Sequence, residues 1–278
     1  MIRIIHPVHV ARAFVEGVTI VAARRHLIVA LTKREIGEQY AGQMLGAYWS
    51  LMHPLIHMAV YIFVFNFIFN ARIGGTADIP LDFAGYMMSG LLPWLSTQQA
   101  MIRSCSALTG SANLVKQVVF PIEVLPIKVV LAVVPGQVVT LTIMIAYAII
   151  VAGIPPATYL LLPVLALAQL LLMLGIAFAL AIVGALLRDI KDIIQVLTLV
   201  AIYTMPVFYL PDWVPQMLRP ILYFNPFSYM TWCYQDALFY GRIEHPIAWI
   251  VFMGGSVLVF VTGYRMFRRL RPWVGNVL

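Results

Sequence analysis

His53 and His57 stand four residues apart in LMHPLIH, a spacing that brings both rings to one face of a helix. Such a pair can ligate a metal or relay protons. No carboxylate or third histidine accompanies it, however, and hydrogen bonding inside a helix bundle uses the same groups, so both readings stay open. Asp189 and Asp192 in RDIKDI are three apart beside Arg188 and Lys191. Paired carboxylates can act as general acid and base, yet opposite charges at this spacing also form ion pairs at a helix end. The other candidates, Asp78, Asp82, Asp212, Asp236, Glu244 and His245, show no clustered metal-ligand spacing. Nor is there a GxxxxGK(S/T) phosphate loop, or even one Gly-Lys pair, so the chain has no ATP site of its own. These residues give a chain with no catalytic residue, no metal and no cofactor; a membrane-embedded transferase is the rival that placed acids would favour.

The elements that must position these groups are marked by where charge is absent. Of 278 residues, 62% are hydrophobic and 10% charged, more apolar than a soluble core needs. A helix crossing the hydrocarbon takes about 20 mostly apolar residues. Uncharged runs cover 39–71, 83–102, 129–187, 193–211 and 245–264, and Gly153, Pro155 and Pro156 split the third into two. The expectation is an all-α integral membrane protein with six transmembrane helices. Run 220–235 is shorter and holds Asn225 and Pro226, which places it at a surface.

With six spans, both termini share a side, and that side collects Arg3, Arg12, Arg24, Arg25, Lys33, Arg34, Arg103, Lys116, Lys128, Arg188, Lys191, Arg265, Arg268, Arg269 and Arg271. Of the 18 lysines and arginines only Arg72, Arg219 and Arg242 fall opposite. Cytoplasmic loops are enriched in such residues, so cytoplasmic N- and C-termini are expected, and the net charge of +7 faces membrane lipids rather than nucleic acid.

Near the N-terminus, Val10, Ala11, Phe14, Val15, Val18, Val21 and Ala22 form one helical stripe opposite Arg12, Glu16 and Thr19. The stripe reads as a cytoplasmic amphipathic helix, lying on the membrane or packed on its own protein; no uncharged stretch before His26 matches a signal-peptide core. Between the second and third spans, residues 110–128 form a link in which Ser111 caps a short helix carrying Leu114, Val115, Val118 and Val119 on one side. Pro121 ends that helix, and Glu123 and Pro126 precede the next span. Cys105 and Cys233 fall on opposite sides, against an intrachain disulfide. In LYFNPFSYMTWCYQDALFYG, Asn225 caps a helix over 226–240, Pro226 takes its first position and Gly241 supplies a left-handed stop. At about 22 Å it is too short to cross comfortably, so it and a proline-flanked piece at 213–219 are expected to be short external re-entrant helices between spans five and six.

LVKQVVFPIEVLPI, taken with QYAGQMLGAYWSLMHP at 39–54, SGLLPW at 89–94, RDIKDI, MPVFY at 205–209 and NPF at 225–227, resembles the membrane subunit of ABC exporters for polysaccharides. The resemblance implies one transmembrane domain over 1–278, with a cytoplasmic helical segment at 1–42, a six-span bundle at 43–267, a coupling link at 110–128, external gate helices at 211–243 and a cytoplasmic tail at 268–278. It implies that Leu114, Val115, Lys116, Gln117, Phe120, Pro121 and Glu123 dock an ATPase, and that Trp213, Tyr223, Phe224, Asn225 and Pro226 form an exit gate. It also implies a homodimer in the bacterial cytoplasmic membrane. Two separate ATPase subunits would carry ATP and Mg, and the cargo would be a lipid-linked polysaccharide of the O-antigen, capsule or teichoic-acid kind. Lipid or drug export by a related ABC permease is the alternative.

Aromatic residues bear on the path. Membrane-interface anchoring accounts for Trp249 and Trp273, and for Tyr48 and Trp49. Trp94, Tyr203, Phe208 and Tyr209 lie inside runs expected to span, and together with Trp49 they are candidates for stacking on sugar faces, with packing inside the bundle as the other reading.

Overall fold

The computed structural model describes residues 19, 23–43, 46–64, 81–112, 120–153, 155–187 and 189–277. Nine α-helices form among them: α1 (Arg25–Tyr40), α2 (Trp49–Ile62), α3 (Phe83–Ser104), α4 (Val124–Ala152), α5 (Leu162–Leu186), α6 (Ile190–Ala201), α7 (Arg219–Phe224), α8 (Pro226–Gln235) and α9 (Pro246–Val277). The N-terminal stripe from Val10 to Ala22 lies outside the described residues, Thr19 apart.

The expected six transmembrane helices are corrected to three candidate membrane-spanning helices among the described residues. Among the described residues, only Val124–Val151, Ala157–Leu186 and Pro246–Trp273 are long and apolar enough to span. Freedom from charge measures a run but not its helical continuity. Among the described residues of run 39–71, α2 has 14 residues, about 21 Å, and residues 65–71 of that run lie outside the described residues. Run 193–211 contributes α6, 12 residues long, which ends in a 3-10 turn over Ile202–Thr204 before Met205 and Pro206. That break is held inside the protein, because Tyr86 and Gln235 donate to the Pro206 carbonyl. α3 has length, with 22 residues, but Ser89, Ser96 and Thr97 lower its hydropathy, and most of its surface is covered by α4, α5 and α8.

Re-entrant helices are corrected too, since no clear re-entrant pattern appears. The helix over 226–240 forms with the expected punctuation. Asn225 Oδ1 accepts from the Phe227 N–H at 2.9 Å, Pro226 opens the helix, and Gly241 has φ 63°. Its last turn, Asp236–Tyr240, is π-helical. Instead of lying at a surface, Met230–Phe239 is buried against α3 and α9. The piece expected at 213–219 is a 3-10 turn at Pro211–Trp213, and the helix there is α7.

Gly153, at φ 83°, turns the chain between α4 and α5, as the Gly-Pro-Pro signal implies. Among the described residues, α5 and α9 make the most extensive helix pairing. Their backbones meet where a Cβ on Gly263 would lie 2.0 Å from the Gly175 carbonyl oxygen. One apolar cluster gathers Phe178, Phe260, Tyr264 and Phe267; a second surrounds Trp94, Met144 and Met230. At one end, Lys128 on α4 pairs with Glu35 on α1 at 2.9 Å, and Glu123 pairs with Arg271 on α9. These two ion pairs bring α1, the start of α4 and the end of α9 together.

Candidate functional site

A cavity of about 350 Å³ opens between α1, α2, α3 and α4. Gln39, Gln43, Gln99 and Gln137 supply amides to its wall, Trp49 and His57 supply rings, and among the described residues no Asp, Glu, Lys or Arg lines it. Gln43 is turned back by Gly42, at φ 77°, so that its Nε2 donates to the Gln39 carbonyl. Pro135 lies within α4 beside the cavity and Pro93 within α3, and each removes a helical N–H.

Behind this wall lies a closed polar network. The Gln169 side chain is fully buried on α5. Its Nε2 donates to the Pro93 carbonyl at 2.8 Å, to Ser96 Oγ at 3.0 Å and to Thr97 Oγ1 at 3.1 Å. Its Oε1 accepts from Gln137 Nε2 and the Tyr234 hydroxyl, both at 2.6 Å. Four helices are thus tied by one amide, and Gln137 joins that knot to the cavity.

A row of rings continues from the cavity. His57 lies 6.3 Å from Tyr61, Tyr61 lies 6.1 Å from Phe208, and Phe208 lies 5.8 Å from Tyr203. The Tyr209 hydroxyl donates to the Tyr203 carbonyl. Of the candidate path residues, Trp49 thus lines the cavity with His57, Tyr203 and Phe208 belong to the ring row, and Tyr209 is tied to the row by its hydroxyl. Trp94 is fully buried, edge-on to Phe227 at 5.1 Å. An arrangement of uncharged amides and ring faces can hydrogen-bond hydroxyls and stack on C–H faces.

Leu114, Val115, Lys116 and Gln117 lie outside the described residues. Phe120, Pro121 and Glu123 border a cleft of about 470 Å³ that Arg24 and Arg271 also line. Glu123 is buried on Arg271, and Pro126, expected before the next span, falls inside the first turn of α4. Among the expected gate residues, Trp213 stacks on Phe83 at 5.7 Å and Tyr223 lies 5.3 Å from Trp232. Phe224 is exposed, and Asn225 Nδ2 donates to Thr204 Oγ1, fixing α8 to the end of α6.

The acids resolve differently from their spacing. Asp189, Lys191 and Asp192 are exposed at the start of α6. Asp236, fully buried in the π-helical turn, accepts from the His245 N–H and from Trp249 Nε1, both at 3.0 Å, and pairs with His245 Nδ1 at 2.8 Å. Trp249 is therefore more than an interfacial anchor. Burial, with the charges of Asp236 and Glu244 nearby, pushes Tyr240 up to about 12. Among the described residues, no group of three or more His, Cys, Asp or Glu is placed to hold a metal.

The family model for the ABC-2 type transporter matches residues 26–239, from α1 through nearly all of the π-helical turn. The chain belongs to the ABC-2 type transporter family. Two O-antigen export system permease proteins, both named RfbA and both from Klebsiella pneumoniae, are each 22% identical to it over 253 residues, 91% of this chain and 95% of theirs. An O-antigen export system permease protein RfbA from Myxococcus xanthus is 30% identical over 218 residues, 78% of this chain and 81% of its own. The span matched as ABC-2 type transporter holds the amide cavity and the whole ring row. Within it, sequence reasoning missed Tyr61 and the glutamines. His53, His57 and Tyr61 at successive intervals of four were the signal for the ring. The glutamines carry no charge and left the uncharged runs unbroken.

Proposed function

We propose that this chain is the permease subunit of an ATP-driven exporter that moves a lipid-linked polysaccharide across the bacterial cytoplasmic membrane, working as a homodimer with two ATPase subunits that bind ATP and Mg. The observation that carries the cargo is the uncharged, amide- and ring-lined cavity running into the His57–Tyr61–Phe208–Tyr203 row. A neutral polyhydroxylated chain needs stacking faces and amides, and needs no fixed charge to slide past them. Similarity to the RfbA O-antigen export system permease proteins supports the same assignment.

In this proposal residues 1–278 form a single transmembrane domain. Residues 110–128 couple it to the ATPase through the cleft at Phe120, Pro121 and Glu123, together with Leu114, Val115, Lys116 and Gln117. The basic end, where Lys128 meets Glu35 and Glu123 meets Arg271, faces the cytoplasm along with the segments 1–42 and 268–278. The exit lies at the other end of α3, at Trp213, Tyr223, Phe224, Asn225 and Pro226, where Trp213 stacks on Phe83.

A purified complex of this chain with its ATPase tests the reading. Lipid-linked polysaccharide should stimulate ATP hydrolysis, and the double variant Trp49→Ala/Gln99→Ala should abolish the stimulation while the complex still assembles. Stimulation by short lipids or drug-like amphiphiles, with none by the glycan, would replace this cargo with lipid or drug export.

A further inference from the structure

A second cavity, of about 680 Å³, lies between α1, the turn that follows α3 and the first turns of α4. Among the described residues, three cations border it. Two are matched: Arg34 Nε donates to Glu38 at 2.7 Å, and Lys128 Nζ meets Glu35 at 2.9 Å and Ser111 Oγ at 3.3 Å. The third, Arg103, has no carboxylate partner among the described residues, and its Nη1 is shut off from solvent without a hydrogen-bond partner. With Arg34, Arg103 and Lys128 set against Glu35 and Glu38, the described part of the wall carries one positive charge in excess. The Ser111 hydroxyl accepts from Lys128 and keeps its own O–H to donate. Lys128 lies in the second turn of a candidate span that begins at Val124, so the cavity adjoins one end of that span. A guanidinium fork, an ammonium and a hydroxyl donor around one excess positive charge are the chemistry that holds phosphate oxygens.

We propose that this cavity binds a phosphate-bearing group, with Arg103 as its principal anchor and Ser111 and Lys128 as further donors. The site is separate from the amide cavity and does not depend on which cargo is exported. Full-length protein, delipidated in neutral detergent, can be titrated with phosphatidylglycerol, phosphatidylcholine and inorganic pyrophosphate, with bound species read by native mass spectrometry. Wild type should retain phosphatidylglycerol or pyrophosphate in preference to phosphatidylcholine. Arg103→Gln should weaken that retention about tenfold, as loss of one charged hydrogen-bonding group does, while Arg219→Gln, far from the cavity, should leave it unchanged. Retention of the anionic lipid alone assigns a headgroup, and retention of pyrophosphate alone assigns a soluble phosphate. Should Arg103→Gln fail to fold, Ser111→Ala carries the test, with weaker retention expected and unchanged retention overturning the proposal. Wild type without preference for either phosphate, or a folded Arg103→Gln that binds like wild type, overturns it as well.

Discussion

Gln169 makes five side-chain hydrogen bonds to partners on α3, α4 and α8, so its removal strands several buried groups together. A buried polar group left unpaired costs about 1–3 kcal/mol, and interhelical hydrogen bonds in membranes fall toward the low end of that range. Gln169→Leu should therefore lower unfolding stability in detergent by about 2 kcal/mol. Ser256→Ala is the comparison: its hydroxyl bonds only the Phe252 carbonyl of its own helix, and its loss should be nearly silent. Denaturant titration followed by Trp fluorescence checks both. The cysteines give a second expectation at this scale. Cys105 and Cys233 are free and buried, and burial pushes the Cys105 thiol up to about 11 and the Cys233 thiol higher still, so neither presents thiolate at neutral pH. Maleimide should label neither in the folded protein at pH 7 and both after denaturation, as read by intact mass. None of these roles was legible in single residues, because glutamine and cysteine do not interrupt an uncharged run and their partners are distant in sequence.

At the scale of elements, α5 and α9 pack backbone against backbone. A Cβ added at Gly175 would fall 2.5 Å from the Phe260 nitrogen, and one at Gly184 would fall 1.9 Å from the Cys105 carbonyl oxygen, so these contacts admit only glycine without movement of a helix. Gly263→Ala should cost about 2 kcal/mol through overpacking, whereas Gly254→Ala, which meets nothing within 4 Å on the same helix, should be neutral or slightly stabilising. Thermal unfolding of the two variants side by side measures the difference. Local signals served well where backbone chemistry is local. Asn225, Pro226 and Gly241 bounded their helix, and Gly153 marked its turn. Span counting failed because helix ends, the Met205–Pro206 break and non-helical turns are as free of charge as a span. A buried helix such as α8 also looks like a surface helix when its neighbours are unknown.

For the molecule as a whole, the pairing of Glu123 with Arg271 joins the link before α4 to the end of α9 across 148 positions of sequence. Glu123→Arg would set two cations together at the cleft, and both the folded yield and recovery of the ATPase partner should fall. The exchange Glu123→Arg with Arg271→Glu should restore much of both if the pair acts as a clasp. Co-purification of the ATPase with each variant measures this. Membership of the family was legible from ordered motifs spread along the chain, whereas the cavity, the ring row and the clasp depend on contacts that spacing alone does not determine. The central claim, outward passage of a lipid-linked polysaccharide through this chain, is tested most directly by surface labelling of the glycan in cells lacking it. Glycan should be made but retained inside, and wild-type chain should restore surface glycan only with its ATPase. Undiminished surface glycan in cells without the chain would contradict it.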